Sequence, residues 1–173
     1  MTNIRHKCFL SYHKDDQRHV DRFIETFDDR HDSFIMRGIR APEDLIKSED
    51  TDYLMSEIRR RYLKDSSVTI VLLGVCTGAR RFVDWEIQSS LRRPTQGLPN
   101  GLLGIIVDPQ KTSVTLPDRF KRNYKSGYAQ FRSYPAGPYT LAAWIDEAYE
   151  SRTYKAHLIS NSRDRFKYNR SCP

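Results

Sequence analysis

Val68-Thr69-Ile70-Val71-Leu72-Leu73, followed through Gly74-Val75-Cys76-Thr77-Gly78 by Arg80-Arg81-Phe82-Val83-Asp84-Trp85-Glu86-Ile87, is the stretch whose reading decides the fold. Its first part is β-branched and apolar on both faces, as the central strand of a parallel sheet is. Its second part has helical spacing and stops before Pro94. Working toward the N-terminus, Tyr53, Leu54, Ile58, Tyr62 and Leu63 mark a helix. Before it, Gly38 to Asp52 is polar and holds Pro42, so it reads as a long loop. Ser33–Met36 reads as a short strand, and Val20, Phe23, Ile24 and Phe27 as the stripe of an amphipathic helix. Lys7–Tyr12 reads as the opening strand. Toward the C-terminus, residues 101–109 form another buried strand, and a long polar loop runs to about Lys125. Gly127–Phe131 is an edge strand, and Tyr139–Tyr154 a helix with Leu141, Trp144, Ile145 and Ala148 inward. The order β-α-β-α-β-α-β-loop-β-α predicts an α/β fold: a flavodoxin-like, five-stranded parallel sheet with helices on both faces.

The chain has 173 residues, 38% of them hydrophobic, enough for one core. We read one domain over residues 1–155 and a basic tail over 156–173. No apolar run approaches the roughly 20 residues that cross a bilayer, and no secretory signal is visible. Three cysteines without CxxC spacing argue against zinc or another metal, and Cys8 and Cys76 are expected as reduced, buried thiols. The expected location is cytoplasmic. Of the +7 formal charge, much lies between Ser151 and Pro173, where six Lys/Arg face one Asp. Such a segment is a solvated end, a contact for an acidic neighbouring subunit, or a nucleic-acid binder. The first two readings are preferred, so nucleic acid is not an expected partner.

The usual phosphate motifs fail. The turn after Leu73 lacks the lysine and spacing of GxxxxGK[ST], and no GxGxxG follows the first strand. Gly74 stands where a phosphate-accepting receiver would carry an aspartate. Tyr12-His13-Lys14-Asp15-Asp16 is a poor flavin phosphate loop. What survives is a cluster that parallel strands would bring to one edge: Ser11, Tyr12 and His13 from the first strand, Thr77 and Arg80 from the third, and Glu86 from the next helix. Phe82 lies one helical turn before Glu86 and Trp85 directly before it. These types suit a ribose, a planar base and phosphates. The plain reading is a polar rim at a helix start, with Glu86 solvated and the aromatics in the core.

Cys8-Phe9-Leu10-Ser11-Tyr12 resembles the "FISY" opening strand of TIR and TIR-like domains. Ser67 to Gly74, then Thr77, then Arg81-Phe82-Val83-Asp84-Trp85-Glu86-Ile87 resembles more narrowly the ThsB proteins of the Thoeris antiphage system. The similarity runs over roughly residues 5 to 150. It implies a TIR-like, flavodoxin-like fold and an enzyme that cleaves NAD at the nicotinamide–ribose bond and makes a cyclic ADP-ribose isomer. It further implies that NAD is a substrate with no added cofactor, and that the product activates a separate ThsA-type effector. Self-association and a phage trigger protein are further expected partners. Glu86 matches the catalytic glutamate of enzymatic TIR domains; Phe82 stands where those have a tryptophan, keeping a ring face and losing the indole N–H. Ser11, Tyr12, His13, Thr77, Arg80, Phe82 and Trp85 are the expected substrate-binding residues. The alternative is a non-enzymatic TIR-like sensing or self-association module.

Overall fold

The computed structural model describes residues 6–27, 34–38 and 50–173. The expected loop from Gly38 to Asp52 falls, apart from its ends, outside the described residues. Five strands, β1 (His6–Ser11), β2 (Phe34–Gly38), β3 (Val68–Leu73), β4 (Gly101–Ile106) and β5 (Gln130–Arg132), form one sheet in the order β2-β1-β3-β4-β5. Every pairing is parallel. Helices α1 (Gln17–Phe27), α2 (Thr51–Ile58), α3 (Arg81–Leu91), α4 (Asp118–Ser126) and α5 (Pro138–Tyr154) cross between strands. This is the flavodoxin-like doubly wound order, whose chain reverses direction between β1 and β3.

Side-chain alternation along the strands sorts the helices onto two faces. Cys8, Leu10, Ile70, Leu72, Leu103 and Ile105 pack against Val20, Phe23 and Phe27 of α1 and Leu141, Ile145 and Ala148 of α5. On the other face, Val71, Leu73 and Leu102 meet Val83, Ile87 and Leu91 of α3 and Phe120 of α4. Phe9 meets Leu54, Met55 and Ile58 of α2 together with Phe82 and Trp85. Every residue of β3 and of β4 is buried, which explains their unbroken apolar sequence. Gly101 lets α5 approach: a Cβ there would fall on the Ala148 backbone carbonyl. Gly101→Ala is therefore expected to push α5 off the sheet, costing about 1–3 kcal/mol and lowering Tm by roughly 2–12 °C in a thermal melt. An unchanged Tm would show that α5 does not rest on that glycine.

One element departs from the sequence reading. The expected polar loop before Lys125 contains helix α4, begun after Pro117 and closed by Gly127 at φ 91°. Its inward residues are Arg119, Phe120 and Asn123. Two of the three are polar, so no apolar stripe marks the helix in the sequence. They are tolerated inside because each is hydrogen-bonded there. Asn123 Nδ2 donates to the Ser160 carbonyl (2.8 Å), and Ser160 N–H donates back to Asn123 Oδ1 (2.9 Å).

Candidate functional site

Ser11 is the last residue of β1 and pairs with Val71 of β3. By alternation it shares the face of Phe9, toward α3. Helix α3 starts one short turn after β3 and lays Glu86 over that strand end. The Ser11 hydroxyl donates to Glu86 Oε2, joining residues 75 apart in the chain. Glu86 is only 2% exposed. Ser90 Oγ, one turn further along α3, donates to the Glu86 carbonyl oxygen (2.8 Å). A carboxylate held by a hydroxyl thus sits where the sheet's chain direction reverses, the place where such folds bind ligands. The plain reading of Glu86 as a solvated helix residue is excluded by its burial.

Thr77 lies at the same edge, fully buried. Its hydroxyl accepts from Gly74 N–H (2.8 Å) and donates to Asp16 Oδ2 (3.3 Å). A Cβ on Gly74 would fall on the Asp16 carboxylate, so the glycine makes room for that acid. Burial pushes the Asp16 carboxyl above its ordinary range, while His13, the Thr77 hydroxyl and His19 pull it back. In the sequence Asp16 stands only in the loop after the first strand. Its proximity to β3 was not readable, because it depends on the turn at His13–Asp16 meeting the turn after Leu73.

The other expected residues are placed variously. His13 is buried, its Nε2 3.1 Å from Asp15 Oδ2. Tyr12 leans on the α1 side of the core and its hydroxyl donates to Gln17 Oε1 (3.1 Å). Arg80 immediately precedes α3, and its Nε is buried with no hydrogen-bond partner among the described residues. Phe82 and Trp85 pack on each other, ring centroids 5.1 Å apart, inside the α2–α3 cluster. The indole N–H of Trp85 donates to the Phe166 carbonyl (2.8 Å). The structure thus joins Ser11 with Glu86 and Thr77 with Asp16. It commits the two aromatic rings of α3 to the core.

That Phe166 contact belongs to a strap. The basic segment after α5 lies against α3 and α4. Phe166 N–H donates to Asp84 Oδ2 (2.9 Å), and Asn169 Oδ1 accepts from Arg81 N–H (3.0 Å), capping one of the orphan donors that open α3. Arg163 and Arg170 pair with Asp118 (3.0 and 2.8 Å), and Arg165 with Asp52 (2.8 Å). Cys76 and Cys172 form a disulfide, which corrects the expectation of a reduced Cys76; Cys8 remains a free, buried thiol. The pairing was hidden because 96 residues separate the two cysteines and only the fold brings them together. Cys172→Ser is expected to cost about 2–4 kcal/mol, as expected for the loss of a cross-link that closes a long loop. Dithiothreitol should lower the wild-type melting temperature to that of the variant and leave the variant unmoved. Coincident melts of untreated wild type and variant would show that the bond adds nothing.

Fold and edge together define a flavodoxin-like α/β protein with a buried carboxylate at the β1/β3 switch point. The sequence profile of the family described as "Thoeris protein ThsB, TIR-like domain" matches residues 9–112, more than half of the chain, and the chain belongs to that family. The match takes in β1 from Phe9, all of β3 and α3, and β4, so Ser11, Thr77 and Glu86 all lie within it. None of the curated proteins matches the chain. No helix among the described residues is long and apolar enough to cross a membrane.

Proposed function

We propose that this protein serves antiphage defence by cleaving NAD at the nicotinamide–ribose bond and closing the ADP-ribose product into a cyclic signal for a ThsA-type effector. The observation that carries this reading is Glu86, buried at the switch point and gripped by Ser11. Leaving of nicotinamide develops an oxocarbenium-like cation on the ribose, and an ionised carboxylate beside it stabilises that charge. A ribose hydroxyl engages the carboxylate by joining or replacing the Ser11 donor. The nicotinamide nitrogen already carries positive charge, so the leaving group departs neutral with the bonding pair and needs no acid. One carboxylate suffices for that step. Cyclisation then requires a hydroxyl of the same molecule to attack in place of water, which needs solvent kept away. Thr77, Arg80, Tyr12 and His13 are the residues we assign to the rim; NAD is substrate and no added cofactor is invoked.

The family match supports this reading from a separate direction. The non-enzymatic alternative draws on the polar loop over residues 38–52, the Phe82 replacement and the basic tail as a contact surface. Arg163, Arg165 and Arg170 are instead paired with acids of their own chain, which leaves that alternative less to act with. The test is mass spectrometry of small molecules from phage-challenged cells. Nicotinamide and a cyclic ADP-ribose should rise with the wild-type protein, and an effector of the ThsA type should respond to the extract. NAD left intact under challenge would reject the enzyme in favour of the binding module.

A further inference from the structure

At the opposite edge of the sheet, under the starts of β3 and β4, lies a cavity of about 550 Å³. It is lined by five cationic side chains, Arg59, Lys64, Arg92, Arg93 and Arg152, and by no carboxylate. Ser66, Ser90 and Asn100 add polar groups to its lining: Asn100 Nδ2 donates to Ser66 Oγ (2.8 Å) and to Oγ1 of the fully buried Thr69 (3.1 Å), which meets Ser90 at 2.7 Å. The loop between α3 and β4 forms one wall and turns at Gly97, φ 98°.

Two ordinary explanations cover part of this charge. Arg93 Nη2 donates to the Ala156 carbonyl (3.3 Å), and Arg152 Nε to the Pro99 carbonyl (2.8 Å). These bonds position the groups without neutralising them. Helix α3 and the π-turn Arg59–Leu63 that continues α2 both end here, and each helix end presents about half a negative charge. Together that is roughly one charge against five cations. Arg59 feels the surplus: burial, then the neighbouring Arg92 and Arg165, hold its guanidinium below the usual range, with Asp52 only partly offsetting them. Asp52 is itself paired with Arg165.

We infer that this cavity is a binding site for a small phosphate-bearing ligand of nucleotide size, separate from the Glu86 edge. The volume falls in the range of small-molecule sites. Planar guanidinium groups match phosphoryl oxygens in two-point hydrogen bonds, and the exposed Thr95 and Gln96 of the lining suit a phosphate ester or sugar.

The probe is inorganic pyrophosphate, titrated calorimetrically into the full chain at low salt. One saturable site is expected. Arg59→Gln combined with Arg92→Gln should weaken it by about tenfold or more per arginine. These side chains are not in the buried core, and a thermal melt without the probe should confirm that the variant folds. Pyrophosphate should raise the melting temperature of wild type and not of this variant. Arg122→Gln with Lys125→Gln, outside the cavity, should leave affinity unchanged, as should Glu86→Gln, so the result is independent of the NAD reading. No binding, equal binding to the Arg59/Arg92 variant, or equal loss in the Arg122/Lys125 variant would overturn the assignment. So would a single-stranded oligonucleotide that binds more tightly through the same arginines.

Discussion

Glu86→Gln is expected to slow nicotinamide release from NAD by roughly 10²–10³-fold, the usual cost of removing one preorganised partner to developing charge. The amide keeps the volume and still offers an oxygen to the Ser11 hydroxyl, so the buried contact survives. What is lost is the negative charge that the proposed reaction sets against the ribose. Stability should therefore change little while turnover collapses, and the two readouts separate a chemical role from a structural one. Nicotinamide and cyclic product, measured by mass spectrometry in phage-challenged cells, would show the loss. Full activity in Glu86→Gln would remove the residue from the mechanism. Ser11→Ala should have a smaller effect, since it frees one orientation of the carboxylate and leaves its charge.

The second large effect concerns folding. Arg119 is 0% exposed, and Asp84, its partner, is 2% exposed. Arg119 Nε and Nη2 donate to the two Asp84 oxygens (2.9 and 3.4 Å). The same guanidinium donates to Asn161 Oδ1 (3.1 Å) and to the carbonyls of Asn161 (3.3 Å) and Arg163 (2.9 Å). One side chain thus ties α3, α4 and the strap together. Arg119→Met would leave Asp84 buried with the Phe166 N–H still donating to it. Removing one partner of a buried pair costs about 3–5 kcal/mol, which for a chain of this size is a fall in Tm of roughly 6–20 °C. Adding Asp84→Asn removes the stranded charge while keeping an acceptor for Phe166. The double variant should melt above Arg119→Met alone. A single variant within about 1 kcal/mol of wild type would show that the pair holds nothing together. Because α3 carries both Asp84 and Glu86, a weakened Arg119 variant should also lose NAD cleavage.

How much of this was legible follows from how far apart the interacting groups lie in sequence. The α1 stripe Val20, Phe23, Ile24 and Phe27 and the α5 stripe Leu141, Trp144, Ile145 and Ala148 pack on the core where their spacing put them, Ile24 and Trp144 only half-buried. Helix α4 was missed because Arg119 and Asn123 point inward, against the rule that inward residues are apolar. Trp85 was legible as an aromatic beside Glu86. That its N–H goes to Phe166, 81 residues away, was not.

The sequence by itself determined the alternation of strands and helices, the two fully buried strands, and Glu86 as the carboxylate worth testing. The first two rest on periodicity within one element; Glu86 rests on the resemblance of its surrounding residues to TIR-like domains. Only the tertiary structure decided that Ser11 grips Glu86, that Asp16 fills the room left by Gly74, and that the basic end of the chain is strapped across α3. The physical reason is common to all three. Polar groups taken from water must find partners, and in a parallel sheet those partners come from loops and strand ends distant in the chain, brought together only when it closes.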